Sequence, residues 1–225
     1  MSIQDFAEYV IEYHKGKSFG VSPMKLQKIL YYLKVWSLVD GHPLFRESFE
    51  KWEYGPVNRA IYHHYQKYGR NPIQPEAGKP VSIDHDKKIL ADFILDCYAP
   101  INAISLSMLT HNEAPWKDTV KDAVITDESI MVFYNKQPFA KNFPLDFSNK
   151  PFYPVMTDLN YAFLTDMSKP MARKLSIYPS FAEYKRRMAA IQPDKDILKN
   201  KIQKFCRFPN MKQTYNDKED IKYHM

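Results

Sequence analysis

The chain has 225 residues, of which 44% are hydrophobic and 15% aromatic, and its formal net charge is +6. This composition excludes a disordered chain, and the length allows one large domain or a domain with a substantial extension. No apolar run approaches the ~20 residues needed to cross a bilayer, and the first residues are acidic where a signal peptide would be apolar, so we expect a soluble, cytoplasmic protein without membrane contact.

Two helices open the chain. Ser2 begins a capping pattern, and the apolar residues that follow have helical spacing as far as Gly16. Ser22 can cap a second helix, Pro23 suits its first position, and Gly41 supplies its end. This second helix is the best-defined element that the sequence predicts.

The second helix has an apolar face at three- and four-residue intervals, formed by Leu26, Ile29, Leu30, Leu33 and Trp36. Lys25, Lys28 and Tyr32 lie on another face. Such interleaved basic and aromatic residues can bind nucleic acid by stacking on bases and neutralising phosphates. Helical spacing buries about half of them, so the pattern favours a core helix with a solvated outer face.

A short β element is predicted near residues 46–54, because aromatic and charged residues alternate there. Trp52 and Tyr54 fall on the same face of this strand. Gly55 permits a turn, and Pro56 suits the start of a third helix.

Three further helices follow. Residues 84–98 carry apolar residues at helical spacing and end before Pro100, and a shorter helix is expected over residues 103–109. Thr126 can cap a last helix that reaches Tyr134. The sequence therefore predicts a mainly α domain over residues 1–135.

Residues 136–225 form a different region, a basic, Pro-rich extension that is partly extended and partly helical. Residues 1–135 contain 15 Lys and Arg against 17 Asp and Glu, whereas residues 136–225 contain 17 against 9. We predict a strand at residues 161–164 and helices at about 180–191 and 194–205. The extension either packs on the first domain or forms a small subdomain.

Two separated sequence patterns resemble a known family. The first combines KLQKILYY, which starts at Lys25, with a later F-x-x-W-x-YGPV that starts at Phe49. The second is LS-x-LTH, which starts at Leu106 and is followed closely by PW. Both patterns, in this order, resemble the Panacea domain of SocA-like bacterial and phage antitoxins, and the resemblance covers about residues 3–134.

The resemblance implies a function. Panacea domains are mainly helical and occur in antitoxins that neutralise unrelated toxins by direct protein contact. By similarity this chain is an antitoxin, and we expect its toxin to be encoded by an adjacent gene. One alternative within the family is a proteolytic adaptor that delivers the toxin to a ClpXP-type protease, as SocA does. The other is a nucleic-acid-binding regulator, which only the positive charge of the extension favours.

Five residues are candidate contacts with the toxin. Lys25, Lys28 and Tyr32 come from the second helix, and Trp52 and Tyr54 come from the β element. Aromatic anchors ringed by basic and polar groups are typical of protein interfaces.

The sequence predicts neither an enzyme nor a metal or cofactor site. His111 and Glu113 form the H-x-E pair that opens the zinc deaminase pattern, but the P-C-x-x-C segment is missing. Cys97 and Cys206 are far apart, so they indicate no structural zinc site. The chain also lacks H-E-x-x-H, G-x-S-x-G and phosphate-binding glycine motifs.

Overall fold

The structure, a computed structural model, describes residues 1–16, 20–75, 81–146 and 150–153, together with the single residues 155, 182 and 186. Its helices in this part of the chain are α1 (Ile3–Tyr13), α2 (Pro23–Asp40), α3 (Arg59–Tyr65), α4 (His85–Tyr98), α5 (Ala103–Asn112), α6 (Ala114–Lys117) and α7 (Asp127–Tyr134). Strands β1 (Phe49–Trp52), β2 (Gly55–Val57) and β3 (Val124–Ile125) form an antiparallel sheet in the order β2-β1-β3. The predicted mainly α fold with a short β element is confirmed.

Helix α2 is the centre of the fold. Residues 25–37 are all buried, because α1, α3, α4, α5, α7 and β2 pack around the helix. The expectation that α2 has a solvated outer face is therefore wrong. A helix that is surrounded on every side needs polar residues only where a neighbour supplies a hydrogen-bond partner.

The helix ends follow local sequence rules. Ser2 and Asp5 form the predicted capping box of α1. Ser22 caps α2, which ends at Gly41 with a φ of 83°, and Thr126 caps α7. Each cap satisfies a backbone N–H group that has no partner within its own helix.

The β1–β2 hairpin departs from the prediction. Pro56 does not begin a helix but lies in β2, paired with Lys51 of β1, and α3 begins only at Arg59 with Asn58 as its cap. Because β2 is an edge strand, Pro56 can lie in it without costing the sheet a hydrogen bond. Strand β3, which the sequence did not predict, pairs with the other side of β1.

The first residues of the C-terminal extension pack on the helical body. Phe139, in the 3-10 helix Pro138–Asn142, is buried and stacks on Phe93 of α4 at 5.7 Å between ring centroids. Asn142 is buried and exchanges two hydrogen bonds with the backbone of Tyr153. The strand and two helices predicted beyond residue 160 lie outside the described residues, apart from positions 182 and 186, and the domain boundary at 135 stays a prediction.

Within the described ranges, no single helix is long and apolar enough to cross a membrane. Helices α4 and α5 reach that length and composition only as a pair, and the chain bends by 98° between them.

Candidate interaction surface at the β1–β2 hairpin

The backbone of the hairpin at residues 49–57 is fixed by hydrogen bonds from side chains of neighbouring helices. Five of them reach backbone carbonyl oxygens between residues 52 and 58. The pairs are Trp116 Nε1 with Trp52 O (3.1 Å), His111 Nε2 with Glu53 O (2.8 Å), Ser107 Oγ with Tyr54 O (2.9 Å), Lys28 Nζ with Pro56 O (3.0 Å) and Gln27 Nε2 with Asn58 O (3.1 Å). We call these five residues the hairpin donors. They come from α2, α5 and α6, so three separate helices fix one short turn.

Asn58 connects the hairpin to α2 and α3. Its backbone N–H donates to Gln27 Oε1 at 2.8 Å, which completes a reciprocal pair with the Gln27 amide. Its side chain donates to Ser48 O and accepts from the backbone N–H of Ile61, which is the cap of α3. The entry into α3 and the exit from β2 are therefore fixed by one residue.

Gly55 has no room for a side chain. Its φ is 101°, which L side chains rarely adopt, and a β-carbon there would lie 2.8 Å from Lys28 Cε and 2.7 Å from Thr110 Oγ1. The glycine thus lets the hairpin backbone approach α2 and α5 closely. This approach brings Pro56 O within reach of the Lys28 ammonium group.

Three of the five predicted contact residues lie in the core. Lys25, Lys28 and Tyr32 are 4%, 1% and 0% exposed, so the expectation that they form an open face of α2 is wrong. Lys25 Nζ donates to Ala99 O at 2.7 Å. No carboxylate among the described residues pairs with Lys28, and burial lowers the pKa of its ammonium group to about 7.

The other two predicted residues, Trp52 and Tyr54, are at the surface. Trp52 is half-buried, with Tyr62 at 5.0 Å between ring centroids and the Arg59 guanidinium 5.5 Å from its ring. Arg59 and Trp52 both donate to the Glu50 carboxylate and hold the pKa of Glu50 below its usual range. This arrangement fixes the indole while leaving part of it accessible.

Tyr54 occupies the turn itself and is 49% exposed. Met108 of α5 is 40% exposed and follows Ser107, whose hydroxyl holds Tyr54 O. We call Trp52, Tyr54, Arg59, Tyr62 and Met108 the hairpin face. Its members are aromatic, sulfur-containing or guanidinium side chains, the types enriched at protein interfaces.

The H-x-E pair is divided between two sites. His111 Nδ1 is 2.5 Å from Ser107 O and Nε2 is 2.8 Å from Glu53 O, so both ring nitrogens face carbonyl oxygens. A neutral imidazole can donate to only one of them, whereas the imidazolium donates to both. Glu113 instead accepts from Tyr32 and Tyr134. No group of three potential metal ligands occurs among the described residues.

Sequence reasoning did not identify Gln27, Ser107 or Trp116 as hairpin donors. All three lie within the two sequence patterns, in KLQKILYY, LS-x-LTH and PW. The polar residues of the two patterns therefore share a structural role, because they all bind the backbone of the same hairpin. Their positions in the sequence gave a signal, but their partners could be found only in the structure.

Comparison with known families agrees with this geometry. Residues 26–117 match the family model described as antitoxin SocA-like, Panacea domain. The matched range begins in α2, contains the whole hairpin and ends at the last residue of α6. Comparison with the curated proteins and with solved structures gives no match. Over residues 26–117 the chain is therefore similar to the antitoxin SocA-like Panacea domain.

Proposed function

We propose that this chain is an antitoxin that neutralises a toxin protein by binding it directly through the hairpin face. The observation that carries the proposal is the hairpin itself. Five buried or half-buried side chains fix its backbone, while Trp52, Tyr54 and Tyr62 keep part of their surface accessible. The family match supports the antitoxin role.

A rigid aromatic surface is suited to this role for an energetic reason. Binding costs less when the contact residues are already ordered, because little side-chain and backbone freedom is lost on association. The Trp52 indole is held by Glu50, and its ring lies against Tyr62 and Arg59. A few such aromatic and arginine anchors dominate the free energy of most protein interfaces.

The proposal extends to partner and location. The partner is a toxin encoded by an adjacent gene, and both proteins act in the cytoplasm. Neutralisation is by occlusion of the toxin. The toxin's lifetime distinguishes this from delivery to a ClpXP-type protease, because occlusion does not shorten it.

Co-expression tests the proposal. The neighbouring gene product should arrest growth alone, and full-length wild-type antitoxin should restore growth. The paired variant Trp52→Ala/Tyr54→Ala should lose the rescue, whereas Val132→Ala, which removes an exposed apolar side chain of α7 outside the hairpin face, should keep it. Protein levels of each variant are measured in the same cells. Full rescue by the paired variant at wild-type levels would reject the hairpin face, and a neighbour that is harmless or never rescued would reject the antitoxin role.

A further inference from the structure

A small pocket lies on the described body between α2, α4, α5, α7 and the 3-10 helix at residues 138–142. Its volume is about 40 Å³. Since one water molecule needs roughly 10–15 Å³ by this measure, the pocket holds a group of only a few heavy atoms. The aromatic part of its lining consists of Tyr32, Trp36, Tyr98, Tyr134 and Phe139. Among the described lining residues, Glu113 is the one that can carry a charge. We call it the Glu113 pocket.

In the described part of the chain, hydrogen bonds reach only one carboxylate oxygen of Glu113. Oε2 accepts hydrogen bonds from Tyr32 at 3.0 Å and from Tyr134 at 2.5 Å. No described residue donates to Oε1, and no described lysine, arginine or histidine forms an ion pair with the carboxylate. Oε1 of this partly buried carboxylate therefore has no hydrogen-bond donor in the part of the chain that the structure describes.

Among the described residues, no positive charge compensates that of Glu113. The titratable groups that face it are tyrosines, Tyr31 and Tyr32 from α2, Tyr98 from α4 and Tyr134 from α7. Burial raises the pKa of Glu113 to about 8, and the hydrogen bonds from Tyr134 and Tyr32 offset only part of that effect. An ionised carboxylate in such a place is stabilised by a cation.

We propose that the Glu113 pocket binds an alkylammonium or guanidinium group, with Glu113 as its counter-ion and the aromatic rings as its walls. Aromatic rings carry partial negative charge on their faces and attract cations, which is how proteins recognise ammonium ligands. The carboxylate disfavours an anion, and an apolar ligand would leave Oε1 unpaired. The inference does not depend on the antitoxin function.

The alkylammonium or guanidinium group can come from two sources. One is a free small amine, and the other is a lysine or arginine side chain of a second protein that enters the pocket from outside. Both place a positive group of a few heavy atoms beside Oε1. They differ in whether the free ion alone binds measurably.

The three tryptophans provide a built-in readout. Trp36 lines the pocket and its indole N–H donates to Tyr98, another wall residue, at 2.7 Å. Trp52 and Trp116 belong to the hairpin region and serve as internal controls. The full chain is labelled with 15N-tryptophan, and its three indole N–H signals are recorded by NMR. The variants Trp52→Phe and Trp116→Phe assign the signals. Methylammonium chloride or guanidinium chloride is then added at millimolar concentration, and sodium chloride at the same concentration is the control.

The Trp36 signal should shift in a saturable manner while the other two stay in place. Glu113→Gln keeps the shape and the hydrogen-bond acceptor but removes the charge, so it should abolish the shift. Glu128→Gln, which removes an exposed carboxylate from the first turn of α7, should retain it. No difference between the probes and sodium chloride, or an equal response in Glu113→Gln, would overturn the proposal.

Two further arms identify the source and the charge state. Capped tripeptides with a central lysine or arginine are compared with the free ions: binding of the ions indicates a small amine, and binding of the peptides alone indicates a partner's side chain. If neither binds, the proposal is wrong.

The affinity for guanidinium should also depend on pH. Guanidinium should bind at least about tenfold more tightly at pH 9 than at pH 6, because Glu113 must be ionised. Equal affinity at both values would exclude Glu113 as the counter-ion.

Discussion

The ammonium group of Lys28 occupies the space that a β-carbon at Gly55 would need. The ideal β-carbon position lies 2.9 Å from Lys28 Nζ, and the same nitrogen donates to Pro56 O at 3.0 Å. The central helix and the hairpin therefore approach so closely that a lysine at position 28 requires a residue without a side chain at position 55. One comes from KLQKILYY and the other from YGPV.

Gly55→Ala should destabilise the protein by about 2–4 kcal/mol, because it combines an unfavourable φ with steric overlap. Gly41→Ala is the matched control, since Gly41 also has a positive φ of 83° but has no atom near its β-carbon position. It should cost only about 1 kcal/mol. Urea denaturation measures both. Equal losses would mean that the overlap with Lys28 and Thr110 has no energetic effect.

Lys28 should make stability rise with pH. Its pKa is about 7 in the folded state against an ordinary 10.5, so the unfolded chain binds more protons between these values. The free energy of unfolding should increase by about 2 kcal/mol between roughly pH 7 and pH 9 through this group. Lys28→Met should remove this increase, as followed by denaturation across the range. An identical pH profile in wild type and variant would contradict the buried, uncompensated state of Lys28.

Glu113 should act in the opposite direction at lower pH. Its pKa of about 8 lies above the ordinary 4.5, so the folded state binds more protons between these values and stability falls as pH rises. The fall should amount to about 3–4 kcal/mol between roughly pH 5 and pH 8. Glu113→Gln should flatten the profile and should be more stable than wild type above pH 8. Glu128→Gln should leave the profile unchanged; if it flattens the profile as much, the effect is not specific to Glu113.

Ser107 should stabilise the hairpin locally. Ser107→Ala removes the donor to Tyr54 O and should cost about 1 kcal/mol. Hydrogen exchange should accelerate in a peptide that covers residues 49–58 while the peptide that covers α1 is unaffected. Ser129→Ala, at a partly exposed position in the first turn of α7, is the control and should leave exchange in the hairpin unchanged. Unaltered exchange in Ser107→Ala would contradict the bracing role of Ser107.

Much of the helical framework could be predicted because helix ends are local features. Ser22 and Gly41 bound α2, and Thr126 begins α7, through contacts within a few residues along the chain. Apolar spacing likewise identified α2 as a core element. The same spacing could not show that α2 is enclosed on all sides, since that depends on how the other elements pack.

The burial of Lys28 and Tyr32 could not be predicted from the sequence. Their partners, Pro56 O and the Glu113 carboxylate, lie 28 and 81 residues away along the chain. Pro56 was misassigned for a related reason: proline suits both a helix start and an edge strand, and pairing with Lys51 decides between them. Of the predicted contact residues, Trp52 and Tyr54 remain candidates because they are accessible.

The affinity of the purified chain for its toxin tests the hairpin face most directly. Isothermal titration with the neighbouring gene product should give a dissociation constant at least about 30-fold weaker for Trp52→Ala/Tyr54→Ala than for wild type, the loss expected when interface anchors are removed. Val132→Ala should bind like wild type, and thermal unfolding should show that all three proteins are folded at the temperature of the titration. Unchanged affinity in the folded paired variant would contradict the account.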